Sequence, residues 1–218
     1  MNILIVEDHP MTALMYKDLI VEESVVATTN NITIVQTCQE AYSMIDICAK
    51  SGTGYDLAIL DHNIPSYPEK KLNSGGDIAL LIKKMFPSCK VFIITSHTEV
   101  LIIYDLIKKV KPEGLAIKND ITAYNFPDII RDIIAGKIYK SMLVKQCLNT
   151  IWKKGIMIED YNRQILMYLA KGYRLKDIEQ IIPLSPSAIR NRITKMKKVF
   201  NSNDNNSLIR QVIEEHYL

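Results

Sequence analysis

The stretch Tyr55-Asp56-Leu57-Ala58-Ile59-Leu60-Asp61-His62-Asn63-Ile64-Pro65 reads as a buried strand that ends on a carboxylate. Leu57 to Leu60 are apolar without alternation, so both faces of that strand need cover. Four more runs share this character: Asn2 to Val6, Ile32 to Gln36, Val91 to Thr95 and Gly114 to Lys118. Between and after them lie segments with helical spacing, at Thr12 to Val21, Gln39 to Lys50, Asp77 to Phe86, Glu99 to Lys109 and Asn125 to Ala135. Five β-α units joined by right-handed crossovers predict an α/β doubly wound, five-stranded parallel sheet in the order 2-1-3-4-5.

In a parallel sheet the strands all end on one edge, where ligands bind. The first strand ends in Glu7 and Asp8, the third in Asp61, the fourth in Thr95 and Ser96, and the fifth in Lys118. Carboxylates gathered there repel, by roughly 4 kcal/mol per pair at 4 Å and an effective dielectric near 20. Lys118 can neutralise one of them. A hard divalent cation such as Mg²⁺ suits the others, together with waters and a phosphate oxygen. Asp61 is then placed to attack phosphorus and form an aspartyl phosphate, with Lys118 stabilising the transferring charge and Thr95 offering its hydroxyl to a phosphate oxygen. Each residue also has a plainer role, since Asp8 before Pro10 can cap a helix, Thr95 and Ser96 can cap the next one, and Lys118 can be a surface lysine. His9, His62 and His97 sit near the same edge, but their spacing is not that of a zinc motif.

Composition sets bounds on the rest. Of 218 residues 48% are hydrophobic and 23% charged, an ordinary soluble balance. No apolar run approaches the roughly 18 residues of a membrane span, and the start of the chain has no signal-peptide pattern. Cys38, Cys48, Cys89 and Cys147 are scattered, which points to reduced thiols and a cytoplasmic protein. The net charge of +3 conceals an asymmetry. Up to Gly136 there are 12 basic and 17 acidic residues, a balance of −5; from Lys137 onward there are 15 and 7, a balance of +8. A basic second part points to a polyanionic partner.

After Gly136 the strand pattern stops. Ser185 and Pro186 suit the N-cap and first position of a helix. Ile189, Ile193, Met196 and Phe200 then mark one apolar face. The opposite face carries Ser187, Arg190, Asn191, Thr194 and Lys198, with Lys195 beside it. A short helix through Ile178, Ile181 and Ile182 precedes it, the layout of a helix-turn-helix whose second helix enters the major groove of duplex DNA. Arginine and asparagine can read base edges, while lysine and serine mostly hold phosphates.

Glu7-Asp8, Asp61 with Pro65 four residues on, Thr95 and Lys118 resemble the motif set of the receiver domain of bacterial two-component response regulators, over about the first 130 residues. The resemblance implies a flavodoxin-like fold, Asp61 as phosphoacceptor, and Mg²⁺ held by Asp8, Asp61 and the main-chain carbonyl of Asn63 with Glu7 helping through water. It also implies Thr95 as switch hydroxyl, Lys118 as the charge-stabilising lysine, and a histidine kinase as partner. Two features depart from the pattern. Leu115 stands at the usual aromatic position of strand five, and the loop Ser66 to Ser74 is longer and basic in its middle. From Ile158 to Phe200 the chain resembles the NarL/LuxR-type DNA-binding domain, through Leu166, Ala170-Lys171-Gly172, Lys176-Asp177-Ile178, Ser185, Ile189, Arg190, Asn191 and Ile193. Glu159 to Asn162 diverge from that domain's usual start. The last helix, with Leu208, Val212 and Ile213, matches the one used for homodimerisation.

The expected organisation is a receiver domain over 1–136, a helical linker over 137–157 and an all-α helix-turn-helix domain over 158–218. The expected function is that of a transcription factor, not an enzyme, phosphorylated on Asp61 and binding DNA through Ser187, Arg190, Asn191, Thr194, Lys195 and Lys198. The alternatives are a phosphorylation-independent regulator acting through protein partners and an aspartate-nucleophile phosphohydrolase. Asn63 disfavours the latter, because such enzymes commonly place a second acid there.

Overall fold

Strands β1 (Asn2–Val6), β2 (Asn31–Val35), β3 (Leu57–Asp61), β4 (Lys90–Thr95) and β5 (Gly114–Ile117) form one parallel sheet in the computed structural model, which describes residues 1–22, 25, 31–153 and 155–218. The order is β2-β1-β3-β4-β5, as the alternation of apolar runs and helical segments predicts. Helices α1 (Pro10–Glu22), α2 (Cys38–Lys50), α3 (Gly75–Met85) and α5 (Phe126–Ile134) alternate with the strands. Every residue of β3 and β5 is buried. On one face Ile3, Ile5, Leu57, Ile59, Phe92 and Ile94 pack with Tyr16 and Ile20 of α1 and with Phe126, Ile130 and Ile133 of α5. Each such side chain taken from water contributes roughly 1.5–3 kcal/mol. A continuous apolar run therefore folds as a central strand.

The sheet has a sixth strand, which corrects the five-stranded expectation. β6 (Tyr139–Lys140) pairs parallel to β5, with the Tyr139 N–H donating to Glu113 O at 2.8 Å and the Ser141 N–H to Leu115 O at 3.1 Å. Two residues carry no periodicity of their own; only the exposed edge of β5 makes them a strand. The single helix expected over Glu99 to Lys109 is α4 (Val100–Asp105), continuing as a π-type turn over Leu106–Val110. After β6 come α6 (Met142–Lys153), a 3₁₀ turn at Gly155–Ile158, α7 (Asp160–Ala170), α8 (Leu175–Ile181), α9 (Pro186–Val199) and α10 (Asn205–Glu214).

Two compact units divide the chain. The first comprises Met1–His97 and Asp105–Lys145; the second comprises Thr98–Tyr104 and Gln146–Leu218. Within the second unit, Val100, Leu101 and Tyr104 share a core with Ile165, Leu166, Ile178, Ile189 and Met196. The N–H of Val100 donates to His216 O at 2.9 Å, and that of Leu101 to Tyr217 O at 3.2 Å. Among the described residues no helix is long and apolar enough to cross a membrane.

Candidate functional site

At the C-terminal edge of the first unit's sheet, β1 delivers Glu7 and Asp8, β3 ends on Asp61, β4 ends on Thr95 and β5 hands over to Lys118. The register places Asp61 opposite Ile94 and Thr95 opposite Ile117, so these strand ends lie side by side. Gly75 lets α3 begin hard against the site: a Cβ there would meet Asp61 O at 1.9 Å, and its N–H donates to His62 O at 3.0 Å. Only glycine allows that approach.

Asp61 is 3% exposed and Glu7 1% exposed. The Lys118 ammonium joins them, 2.7 Å from Asp61 Oδ2 and 3.2 Å from Glu7 Oε1. Asp61 Oδ1 also accepts the Asn63 N–H at 3.1 Å. Burial raises the Glu7 carboxyl above its ordinary value, the Asp61 charge adds to the rise, and Lys118 opposes it. Burial acts to lower Lys118, but its bonds to Asp61 and Glu7 outweigh this and hold the ammonium above its ordinary value. One cation is thus shared by two buried carboxylates, with a third, Asp8, beside them.

Ligand atoms of Glu7, Asp8, His9 and Asp61 all lie within 4.8 Å of one another. Glu7 Oε2 and Asp8 Oδ1 are buried and accept no hydrogen bond. Lys118 Nζ at 3.1 Å and His9 Nδ1 at 2.8 Å approach them without hydrogen-bonding geometry. Oxygen donors left in that state fit a hard divalent cation. His9 adds a nitrogen to the cluster, its imidazole raised above its ordinary value by the Glu7 hydrogen bond and by Asp8.

Thr95 is buried, and its Oγ1 accepts the His97 N–H at 3.0 Å. No hydrogen bond links Thr95 to Asp61 among the described residues. Asn63 and His97 lie over the same edge, joined by Asn63 Oδ1 and His97 Nε2 at 2.7 Å, and the Asn63 amide reaches Ser96 Oγ at 3.4 Å. The His62 ring stands edge-on to that of His97, with centroids 5.4 Å apart.

The second unit holds the other predicted residues. Ser185 caps α9, its hydroxyl accepting the Ala188 N–H at 3.2 Å. Ile189, Ile193 and Met196 are buried beneath it. Ser187, Arg190, Asn191, Thr194, Lys195 and Lys198 are all exposed on the helix. Arg192 turns the other way, its guanidinium donating to Asn162 Oδ1 at 2.9 Å and pairing with Glu159. Asn162, in the divergent Glu159 to Asn162 segment, is buried and donates to Ile156 O at 2.7 Å. In α10, Leu208 and Val212 fill the unit's own core, while Ile213 is 50% exposed. Sequence reasoning passed over Glu179, an acid on α8 whose Oε1 lies 3.3 Å from Arg190 Nη2.

The fold is shared with RcsB. RcsB of Salmonella typhimurium aligns over 98% of both chains with a TM-score of 0.58 at 18% identity. RcsB of Salmonella enterica serovar Typhimurium, bound to promoter rprA in the presence of phosphomimetic BeF₃⁻, aligns over 97% of this chain and 98% of its own, with a TM-score of 0.62 and 17% identity. A structure of two RcsB dimers bound to two parallel DNAs gives a TM-score of 0.62 at 19% identity over 98% of each chain. At such identities the likeness is one of fold: a parallel α/β sheet followed by a helical region. By sequence, no family model matches the chain, and no curated protein matches it.

Proposed function

We propose that the chain is a response regulator transcription factor of the NarL/LuxR type, phosphorylated on Asp61 by a histidine kinase in the cytoplasm and binding duplex DNA as a homodimer through α9. The observation that carries this is the ammonium of Lys118 shared between Asp61 and Glu7, beside carboxylate oxygens that accept no hydrogen bond. An Asp61 oxygen attacks phosphorus while the bond to the donor's leaving group breaks, and the electron pair departs with that group. Lys118 Nζ stands ready to stabilise the charge on the transferring oxygens. The Thr95 hydroxyl, held by the His97 N–H, serves the phosphoryl oxygens afterwards. Glu7, Asp8, Asp61 and the Asn63 carbonyl would hold Mg²⁺, which supplies charge neutralisation at the phosphoryl group when bound. Residues 1–136 would act as receiver and 158–218 as DNA-binding domain. RcsB, of the same fold, is described bound to DNA and as dimers on DNA, and this supports the reading.

The test is intact-mass measurement after incubation with acetyl phosphate and Mg²⁺. One phosphoryl group is expected on the parent protein and none on Asp61→Asn or in the presence of EDTA. An unlabelled parent, or equal labelling of Asp61→Asn, would overturn the assignment.

A further inference from the structure

Of the six α9 residues expected to face DNA, only Arg190 has an ion-pair partner among the described residues, and that partner comes from the neighbouring helix. Glu179 Oε1 lies 3.3 Å from Arg190 Nη2. The two ends of the pair differ in exposure: the Glu179 side chain is 17% exposed, that of Arg190 66%. Glu179 follows Ile178, which is fully buried in the unit's core, so the main chain that carries the carboxylate is fixed beside α9. An ion pair this exposed adds little to folding. Its consequence lies on the surface where it sits.

We propose that Glu179 is a positioning residue that sets sequence specificity by holding the Arg190 guanidinium for a base edge and away from phosphate. The inference rests on the reading of α9 as the helix that binds duplex DNA. An unrestrained arginine on a basic helix pairs with whichever phosphate it meets, and such contacts carry no sequence information. Bidentate reading of guanine needs the planar fork presented in one orientation. A carboxylate on one nitrogen of the fork restricts its rotation and leaves its remaining donors for the base. The same negative charge repels phosphate, so registers that press the backbone onto α8 are penalised. Lys195 and Lys198, which have no such partner among the described residues, remain general phosphate contacts.

The full-length protein is used to select sites from a random DNA pool, and affinity for the selected site and for unrelated duplex DNA is measured across salt. Glu179→Gln keeps the shape and removes the charge; Glu179→Ala removes both. In each, binding to unrelated DNA is expected to strengthen severalfold and the specific-to-unrelated ratio to fall about tenfold. The salt slope should steepen by about one contact as Arg190 moves to phosphate. In an Arg190→Ala background, Glu179→Ala should change the ratio far less than it does in the parent, because only the direct repulsion of phosphate is then lost, a coupling that a merely structural role for Glu179 would not produce. If the parent selects a motif and Glu179→Gln and Glu179→Ala select it with the same ratio and slope, the positioning role is wrong while the DNA-binding reading stands. If the parent selects no motif, the DNA-binding reading fails and takes this inference with it.

Discussion

Asp61 and Glu7 are almost wholly buried around one shared ammonium, whereas Arg190, Lys195 and Lys198 stand in solvent on an exposed helix face. The first arrangement fixes each charge by main-chain position at a strand end and by hydrogen bonds of about ordinary length. The second fixes the helix, through Ile189, Ile193 and Met196, and leaves the charged tips in solvent, with Arg190 paired to Glu179. A group that must react at one atom gains from being held before its partner arrives. A surface that meets a polyanion gains from mobile charges that exchange counterions for phosphates. Burial therefore separates the two candidate sites in the same chain.

The sharpest way to break this comparison is Lys118→Ala. It removes the ammonium shared by two buried carboxylates, and labelling by acetyl phosphate should slow by about 10²–10³-fold, read as mass gain against time. Labelling at the parental rate would mean that the pocket is not preorganised. Next comes Arg190→Ala, expected to cost about 1–3 kcal/mol on a selected site and to relax preference there, measured by binding to single-base variants of that site. A result equal on all sequences would make Arg190 a phosphate contact like the lysines.

A third variant tests whether burial alone makes a charge matter. Glu113 lies outside both sites, bonded to Lys83 Nζ at 2.9 Å and to the Val91 N–H at 2.8 Å. Burial acts to raise its carboxyl, but these hydrogen bonds win and hold it below its ordinary value. A depressed folded value means that its stabilisation is present above the unfolded value of 4.5 and is lost as pH falls through the folded one. Glu113→Ala should lower unfolding free energy by about 1–3 kcal/mol at pH 7 and by less in acid, in denaturant titrations at both pH values. A cost independent of pH would assign the loss to packing. Smaller still, exchanging Asn63 or His97 should change the decay of the phosphorylated protein severalfold, since their mutual hydrogen bond lies over the edge that attacking water must cross. Unchanged decay in both variants would exclude them from that path. Lys198→Ala should reduce the salt slope by about one contact on every sequence.

The sheet was legible because each central strand is an unbroken apolar run, and the acidic cluster was legible because a parallel sheet carries its strand ends to one edge. Glu7, Asp8, Asp61 and Lys118 meet for that reason. β6 was not legible, because Tyr139 and Lys140 have no pattern beyond the β5 edge they join. The break between α4 and the π-type turn at Leu106 was hidden too, since helical spacing continues through it. Glu179 escaped notice because a lone acid on a short helix carries no signal until the turn brings Arg190 beside it. His9 shows the middle case: its place next to Glu7 and Asp8 put it near the edge, but only the fold brings its Nδ1 into the cluster.

The second unit borrows Thr98–Tyr104 from the middle of the chain. For anyone building chimeras, this sets a rule about where the gene can be joined. A fusion cut once between Gly136 and Gln146 would carry the tail helices away from Val100, Leu101 and Tyr104, and a foreign first unit would offer whatever residues it has at those places. Such hybrids should aggregate or lose solubility unless the seven-residue segment is grafted along with the tail. The second unit is transplantable as two pieces of sequence, not as one.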